Sequence, residues 1–302
     1  MSRKVSIVRC NGDLQESLST GFSLLGGLRI PKLPILIKPN LCAESDPTSI
    51  ATTRIPFIKT VIDLILNEDE DAVIKIVESN SSGKQIKKAF KNLGYTQMER
   101  TYLENGYNVT LINLSKAPLT TILEGIFLKR VRLPTILIQP KFFISLANAK
   151  THSLTQITGA LKNQFGCLPE KEKYLYHRVI DKVILDINSV VKPNLCIIDA
   201  LFGLEGVLNG RKRKIGIIIC GRDPVAVDVI LARVMGFTPS KIKHLTLAAK
   251  HGLGSLTPKV IGEALDSVIV KFRKETNVFS TLGKYIPRNM MPLAHRIYSI
   301  FK

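Results

Sequence analysis

The apolar residues of this chain fall into short runs typical of strands and longer segments with helical spacing. In the first hundred residues the two kinds alternate, with strands predicted at 4–10, 34–37 and 72–77 and helices at 14–25, from Pro56 onward and at 83–93. Strands that alternate with helices favour a parallel sheet with right-handed crossovers. The sequence therefore predicts an α/β fold, a mainly parallel sheet flanked by helices, as one compact unit or two interleaved lobes.

From residue 109 onward the predicted strands outnumber the helices. The predicted strands are 109–114, 125–133, 135–146, 195–200, 214–220 and a last one within 260–272. The predicted helices are 171–191, 224–235 and 240–251, the last with Ser240 as its N-cap. The sequence has no internal repeat, and we predict an α/β domain with an inter-lobe cleft at 1–275 and a basic amphipathic tail at 276–302.

The charge of the chain adds a constraint on its partners. Its 302 residues include 43 Lys and Arg against 24 Asp and Glu, which gives a formal net charge of +19. A field of this size attracts nucleic acids, anionic membrane surfaces and small anionic metabolites. The alternative is that the basic surface only keeps the protein in solution.

Cysteine spacing and hydropathy exclude several classes of protein. The chain has no Cys-x-x-Cys motif, which argues against an intrinsic zinc ribbon or ferredoxin-type cluster. Its five dispersed cysteines indicate a reducing compartment. No stretch reaches the about 20 apolar residues of a membrane-spanning helix, and the charged start of the chain does not resemble a signal peptide. We expect a cytoplasmic protein.

Two polar segments follow predicted strands, at the position where open α/β sheets bind ligands. The first is Lys38-Pro39-Asn40, directly after the strand at 34–37. A lysine supplies a point charge for an oxyanion, and an asparagine supplies both donors and an acceptor. A loop with a solvated lysine is the alternative interpretation.

The second segment, at 150–166, is dense in hydrogen-bond donors and has no acidic residue before Glu170. This composition suits a phosphate or carboxylate ligand. His152 is predicted to be a general acid/base or a metal ligand, and a structural histidine is the alternative. The predicted ligand-binding residues of the two segments are Lys38, Asn40, Lys150, Thr151, Thr158, Lys162 and Asn163.

Acidic residues after the later strands are further candidates. Asp199 and Glu205 follow or end an apolar strand, and we predict that they complete a catalytic site with His152 through a metal or a proton transfer. Asp223 directly precedes Pro224 and is predicted to cap a helix. For Asp228 we predict a buried salt bridge with a lysine.

A run of four basic residues and the tail support a different function. The run is predicted to be a turn before a strand, where a solvated loop is the usual structure, and it consists of Arg211, Lys212, Arg213 and Lys214. The tail at 276–302 interleaves basic and apolar residues, so it could contact RNA, lie on a membrane surface or pack against the body of the protein.

Several of these segments together resemble the family catalogued as domain of unknown function 362. The matching segments are IKPNL at 37–41, KTH at 150–152, TGALKN at 158–163, His177, IDA at 198–200 and GRDPVAVD at 221–228. The resemblance covers residues 35–272 and implies an α/β domain that in many relatives accompanies a ferredoxin-like iron–sulfur module. It therefore implies redox chemistry, but this chain has no cluster-binding cysteine array, so a separate iron–sulfur protein would have to supply the electrons.

We therefore predict an enzyme, or a protein derived from an enzyme, that binds a small phosphate or carboxylate in a basic cleft at the strand ends. A redox link is implied only by the resemblance. The alternative is a nucleic-acid or ribosome-associated protein that uses its basic surface. The sequence identifies no cofactor, metal or substrate.

Overall fold

The computed structural model describes residues 3–42, 44–46, 48–122, 125–128, 130–206 and 210–275. Within them the strands are β1 (Lys4–Arg9), β2 (Ile35–Lys38), β3 (Ile74–Glu78), β4 (Val109–Asn113), β5 (Leu119–Ile122), β6 (Val131–Pro134), β7 (Phe142–His152), β8 (Gln156–Thr158), β9 (Leu195–Glu205), β10 (Arg211–Gly221) and β11 (Lys259–Gly262). The helices are α1 (Leu14–Leu24), α2 (Ile55–Glu68), α3 (Ile86–Asn92), α4 (Tyr95–Glu104), α5 (Ala160–Asn163), α6 (Ile180–Val190), α7 (Pro224–Val234) and α8 (Lys243–Lys250). The predicted tail, 276–302, lies outside the described residues.

One twisted sheet runs through the described part of the chain, in the order β11-β1-β10-β9-β7-β2-β3-β4, with β8 paired to the end of β7. The neighbours from β9 through to β4 are parallel. β10 is antiparallel to both β1 and β9, and β8 is antiparallel to β7. The prediction of a mainly parallel α/β sheet flanked by helices is confirmed.

Helix starts follow the local sequence where it carries a strong signal. Pro56 lies in the first turn of α2, and the helix buries the predicted apolar face that begins at Phe57. Asp223 caps α7, because its side chain accepts a hydrogen bond from the backbone N–H of Ala226. Both predictions are confirmed.

The sheet has an apolar core on each face. Side chains alternate between the faces along β7, so Phe143 and Ala147 pack on one side while Ile144 and Leu146 pack on the other. Ten of the eleven residues of β7 are buried. Polar residues in the second half of this strand are therefore held inside the protein and need internal partners.

Several predicted elements were wrong in extent. β7 begins at Phe142 and continues to His152, and residues 135–137 form a 3₁₀ turn instead of the start of this strand. The strand predicted at 125–133 is reduced to β6, because the described residues 125–128 contain no strand. The strand predicted at 260–272 is reduced to β11.

The later helices also differ from the prediction. The helix predicted from residue 171 is a 3₁₀ segment at Lys173–Val179 before α6 begins. Ser240 does not cap α8, whose N-cap is Ile242. The sequence analysis missed α4, whose N-cap is Gly94, a left-handed residue with φ of 86° that directly follows Leu93, the C-cap of α3.

The basic run 211–214 is not a turn but the first part of β10, paired with the end of β9. A strand accommodates these long side chains because alternate residues project to opposite sides. Within the described ranges, no helix is both long enough and apolar enough to cross a membrane.

Candidate functional site

A pocket of about 70 Å³ lies beyond the carboxyl end of β2, against the second half of β7. This volume is about that of two water molecules in the liquid, so it admits a small polar group such as a phosphate or carboxylate. Its walls are formed by Asn40, Cys42, Ala147, Asn148, Lys150, Thr151, His152, Thr158, Gly159, Lys162 and Asn163. The pocket unites the two segments that the sequence analysis singled out.

β7 reaches the pocket because other strands pair with it beyond the end of β2. β2 pairs with β7 only as far as Ser145. Past that point β8 continues the ladder, with Lys150 opposite Thr158 and His152 opposite Gln156. The 150–152 segment is therefore strand and not loop, and its backbone is fixed.

Lys150 is fully committed to partners within the protein. Its side chain is 1% exposed, and its Nζ donates to the carbonyl of Ala51 at 2.8 Å and to Sγ of Cys42 at 2.9 Å. Asn40 Nδ2 donates to the same carbonyl at 2.8 Å and to Asn148 Oδ1 at 3.1 Å. These bonds fasten the loop after β2 over the pocket.

Lys162 is the pocket lysine whose ammonium group is available to bind a ligand. Its side chain is partly exposed, and it forms no hydrogen bond or ion pair with any residue that the structure describes. Burial lowers the pKa of Lys162 to about 8, with Cys42 and Glu275 opposing the shift and Lys150 and Lys38 adding to it. An anion would supply the partner that this ammonium lacks.

His152 is held in one neutral form by the backbone. Its Nδ1 accepts hydrogen bonds from the N–H groups of Leu154 at 3.2 Å and Thr155 at 3.4 Å. A proton on Nδ1 would face both donors, so the ring carries its proton on Nε2 and presents an N–H. Burial and the positive charge of Lys162 hold the pKa of His152 well below its usual value. His152 is therefore arranged as a neutral hydrogen-bond donor.

This geometry does not favour the acid/base and metal-ligand roles predicted for His152. A base or ligand at Nε2 needs the lone pair that the proton occupies. Within the described ranges, no three His, Cys, Asp or Glu side chains are grouped so that they could hold a metal ion.

We expect His152 to be neutral and protonated at Nε2 at neutral pH, and to remain so as the pH falls through about 6.5, the ordinary pKa of histidine. Since its pKa lies below the ordinary value, the charged form is populated only at still lower pH. Long-range ¹H–¹⁵N spectra of the labelled protein distinguish the two ring nitrogens of His152 at each pH. A titration of His152 near pH 6.5 would contradict the lowered pKa, and a spectrum that places the proton of the neutral ring on Nδ1 would contradict the assigned tautomer.

Lys38, predicted to bind the ligand, does not line the pocket. It is 1% exposed, and its Nζ donates to Glu78 Oε2 at 2.8 Å, to the carbonyl of Pro39 at 2.9 Å and to Asn163 Oδ1 at 3.3 Å. Lys84 lies 3.6 Å from the same carboxylate. The charge of Lys38 is therefore neutralised beneath the pocket.

Asn163 connects this buried ion pair to the pocket wall. Its Nδ2 donates to the carbonyl of Lys38 and to Ser145 Oγ, both at 3.0 Å. The residue is 8% exposed, so its side chain mainly joins β2, β7 and α5, and only its edge lines the pocket.

Asp199 and Glu205, predicted as catalytic, also lie outside the pocket walls. Asp199 is 3% exposed and pairs with Arg54 at 3.4 Å, while burial raises the pKa of its carboxyl. Glu205 accepts from Arg213 at 3.3 Å and from the backbone N–H of Arg273 at 3.0 Å. Each carboxylate therefore forms an ion pair with an arginine of the protein, Asp199 with Arg54 and Glu205 with Arg213.

Asp228 does not form the predicted salt bridge with a lysine. Its two oxygens accept from the backbone N–H groups of Ala160 at 2.6 Å and Leu161 at 2.9 Å. A Cβ at position 159 would lie 2.2 Å from Asp228 Oδ1, so glycine is required there for the contact. Asp228 thus fixes the start of α5, which carries Lys162.

Cys42 is one of the pocket residues that sequence reasoning missed, together with Asn148. Cys42 lies two positions after Asn40, but no spacing in the sequence distinguishes it from the other cysteines. Its hydrogen bond with Lys150 connects two residues that are 108 positions apart in the sequence. Such a contact is visible only in the folded chain.

Comparisons with known proteins identify a family and two similar proteins. The model of the family described as "Domain of unknown function (DUF362)" matches residues 35–233. A thylakoid-associated protein from Synechocystis sp. is 25% identical over 276 residues, which cover 84% of this chain and 80% of that protein. The lactate racemase apoprotein from Thermoanaerobacterium thermosaccharolyticum is similar over 81% of this chain, with 10% identity and a TM-score of 0.45, and the match spans 56% of its length.

Proposed function

This chain belongs to the family described as domain of unknown function 362, and on that premise we propose that its strand-end pocket binds a small phosphate or carboxylate as an enzyme's ligand site. One observation carries the proposal: the ammonium of Lys162 lines the pocket without an acceptor among the described residues. The N–H at Nε2 of His152 adds a neutral donor to the same small volume.

The surroundings of the pocket also favour an anion. Beneath it, the single carboxylate of Glu78 is shared by Lys38 and Lys84, and Lys173 acts on it through space. Three lysines against one carboxylate leave a positive field at the carboxyl ends of β2 and β3. Parallel sheets bind ligands at this edge because the loops there leave a crevice.

Lys162→Met should weaken the binding of inorganic phosphate or acetate by about 10- to 100-fold, since hydrogen bonds to charged groups contribute about 1.5–3 kcal/mol. Isothermal titration at low ionic strength measures the change. Lys88→Met, at an exposed position on α3, is the matched control and should bind as the wild type does. Equal affinity of the Lys162→Met variant and the wild type would refute the proposal.

The same titration at rising pH gives a second readout. Lys162 is charged below its pKa of about 8 and neutral above it, so binding should weaken as the pH rises through this range. Its charged neighbours Lys150, Lys38, Cys42 and Glu275 act on it throughout. Lys162→Arg stays charged, and this variant should keep its affinity to higher pH.

Nucleic-acid or ribosome binding remains the competing proposal. It is supported by the net charge of +19 and by the exposure of Arg211, Lys212 and Lys214 on β10. Arg213 supports it less, because it pairs with Glu205. This alternative would be favoured if the affinity for RNA falls steeply with salt and is the same in Lys162→Met as in the wild type. Association with a membrane surface through the tail, and with a separate iron–sulfur protein, stay predictions.

A further inference from the structure

Cys42 lies in the pocket with a charged partner on its sulfur. Sγ accepts a hydrogen bond from Lys150 Nζ at 2.9 Å, and as a thiol it donates to Asn40 Oδ1 at 3.2 Å. The side chain is partly exposed, so a molecule that enters the pocket can reach the sulfur. Both the thiol and the thiolate thus have a partner in the folded protein.

Electrostatics favours the reactive form of this sulfur. Burial raises the pKa of the Cys42 thiol, but the charges of Lys150, Lys162 and Lys84 and the hydrogen bond from Lys150 outweigh burial, so the pKa is lowered overall. The thiolate is the nucleophilic form of cysteine, and nearby lysines are a common means of populating it.

The other cysteines have no such surroundings. Burial raises the pKa of Cys167 and Cys220 to about 12, and it raises the pKa of Cys196 well above the ordinary value. Cys10 is partly exposed and donates weakly to the carbonyl of Asp13 at 3.7 Å. Cys10 therefore provides an internal reference of similar access without a lysine on its sulfur.

We propose that Cys42 is a nucleophile, and that the ligand of this pocket carries an electrophilic carbon beside its anionic group. The inference rests on the proposed function, because Lys162 and the N–H of His152 hold the anionic group while Sγ meets the carbon. A small carboxylate or phosphate that bears a carbonyl belongs to this class.

The covalent step needs no oxidant or reductant. The sulfur forms a bond to the carbonyl carbon, and the π electron pair of the C=O bond moves to the oxygen. The proton of the thiol ends on that oxygen, by way of water or of Lys162, whose pKa of about 8 suits proton exchange near neutrality. The product is a hemithioacetal, and the reverse path releases the ligand unchanged.

Alkylation of the intact chain with two reagents tests the proposal. Iodoacetate and iodoacetamide both transfer a carbon to sulfur and release iodide, but only iodoacetate carries a negative charge. The rates at Cys42 and Cys10 are measured at pH 7 by mass spectrometry of the digested protein, with Cys42→Ser to assign the peptide. Phosphate binding is titrated on the same preparation.

We expect Cys42 to react faster than Cys10 with the neutral reagent. Lowering the pKa of a thiol by one unit gives about tenfold more thiolate at pH 7, but each thiolate is about threefold less nucleophilic. The net gain in rate is therefore about threefold for each unit by which the pKa is lowered. We also expect the rate ratio of iodoacetate to iodoacetamide to be about tenfold higher at Cys42, because the lysines concentrate the anion. In Lys162→Met this ratio should fall. The iodoacetamide rate at Cys42 should fall less than the iodoacetate rate, because Lys150 still donates to the sulfur.

Two results would overturn the proposal in distinguishable ways. If phosphate binds through Lys162 but Cys42 reacts no faster than Cys10, the proposed function stands and the nucleophile is refuted. If no anion binds and the two cysteines share one reagent ratio, the anion site is refuted, and the inferred class of ligand is refuted with it.

Discussion

Replacing Glu78 with glutamine should lower the free energy of unfolding by about 3–5 kcal/mol, the loss typical when one partner is removed from a buried ion pair. Glu78 is 2% exposed, and its carboxylate lies 2.8 Å from the ammonium of Lys38 and 3.6 Å from that of Lys84. Glutamine keeps the size of the side chain but leaves these lysines without a counter-charge. Urea unfolding followed by circular dichroism measures the loss.

Two further variants separate charge from packing. Glu70→Gln, at an exposed position after α2, should change stability by less than about 0.5 kcal/mol. Adding Lys38→Met to Glu78→Gln should recover part of the loss, because it removes one of the uncompensated charges. If the double variant is less stable than Glu78→Gln by the full cost of Lys38→Met alone, the two residues do not interact as described.

The stabilisation from Glu78 has a defined pH dependence. Burial raises the pKa of Glu78, but Lys38, Lys84 and Lys173 outweigh this, so its pKa in the folded protein lies below the ordinary value. A lowered carboxyl pKa means that the stabilisation is present at neutral pH and is lost as the pH falls through the lowered pKa. The difference between wild type and Glu78→Gln should therefore shrink in acid.

Asp228→Ala should destabilise the protein by about 2–6 kcal/mol, since each of two buried amides left without an acceptor costs about 1–3 kcal/mol. The amides belong to Ala160 and Leu161 at the start of α5. Because α5 carries Lys162 into the pocket, the variant should also bind phosphate more weakly than the wild type. Chemical unfolding and phosphate titration measure the two effects.

Asp223→Ala is the matched comparison for Asp228→Ala. Asp223 is likewise buried and accepts two backbone N–H bonds, from Ala226 and Ser255, each at 2.9 Å. Its loss should destabilise the fold but leave phosphate affinity unchanged, because it caps α7 and does not hold α5. If both variants weaken binding equally, the effect comes from general destabilisation.

The loss of stability on replacing Asp228 should depend on pH. Burial raises the pKa of Asp228 to about 7, although the N–H groups of Leu161 and Ala160 oppose the shift. A carboxyl whose folded pKa is raised stabilises most at low pH, and this part of the stability is lost as the pH rises toward the folded pKa. The loss on substitution should thus be larger at pH 5 than at pH 8.

The local sequence was sufficient for the architecture and for the position of the site. Alternation of strand and helix patterns determined the mainly parallel sheet, since the two periods report which side chains can be buried. Polar residues directly after strands indicated the ligand edge, and Asn40, Lys150, His152 and Lys162 do line one pocket. Boundaries were less accurate in residues 125–146, and also at 150–158, where the pairing of β8 with β7 extends a strand into an expected loop.

The tertiary structure decided which of these residues can act on a ligand. Lys38 and Lys162 looked alike in sequence, yet Lys38 is neutralised by Glu78 while Lys162 has no acceptor among the described residues. Similarly, the two N–H groups that fix the proton of His152, and the lysine that activates Cys42, were not recognisable from spacing. The charge state of a buried group depends on desolvation and on its neighbours in space, and here most of those neighbours lie tens of residues or more away along the chain. Sequence periodicity indicates which side chains are buried, and only the folded chain shows which groups each buried side chain contacts.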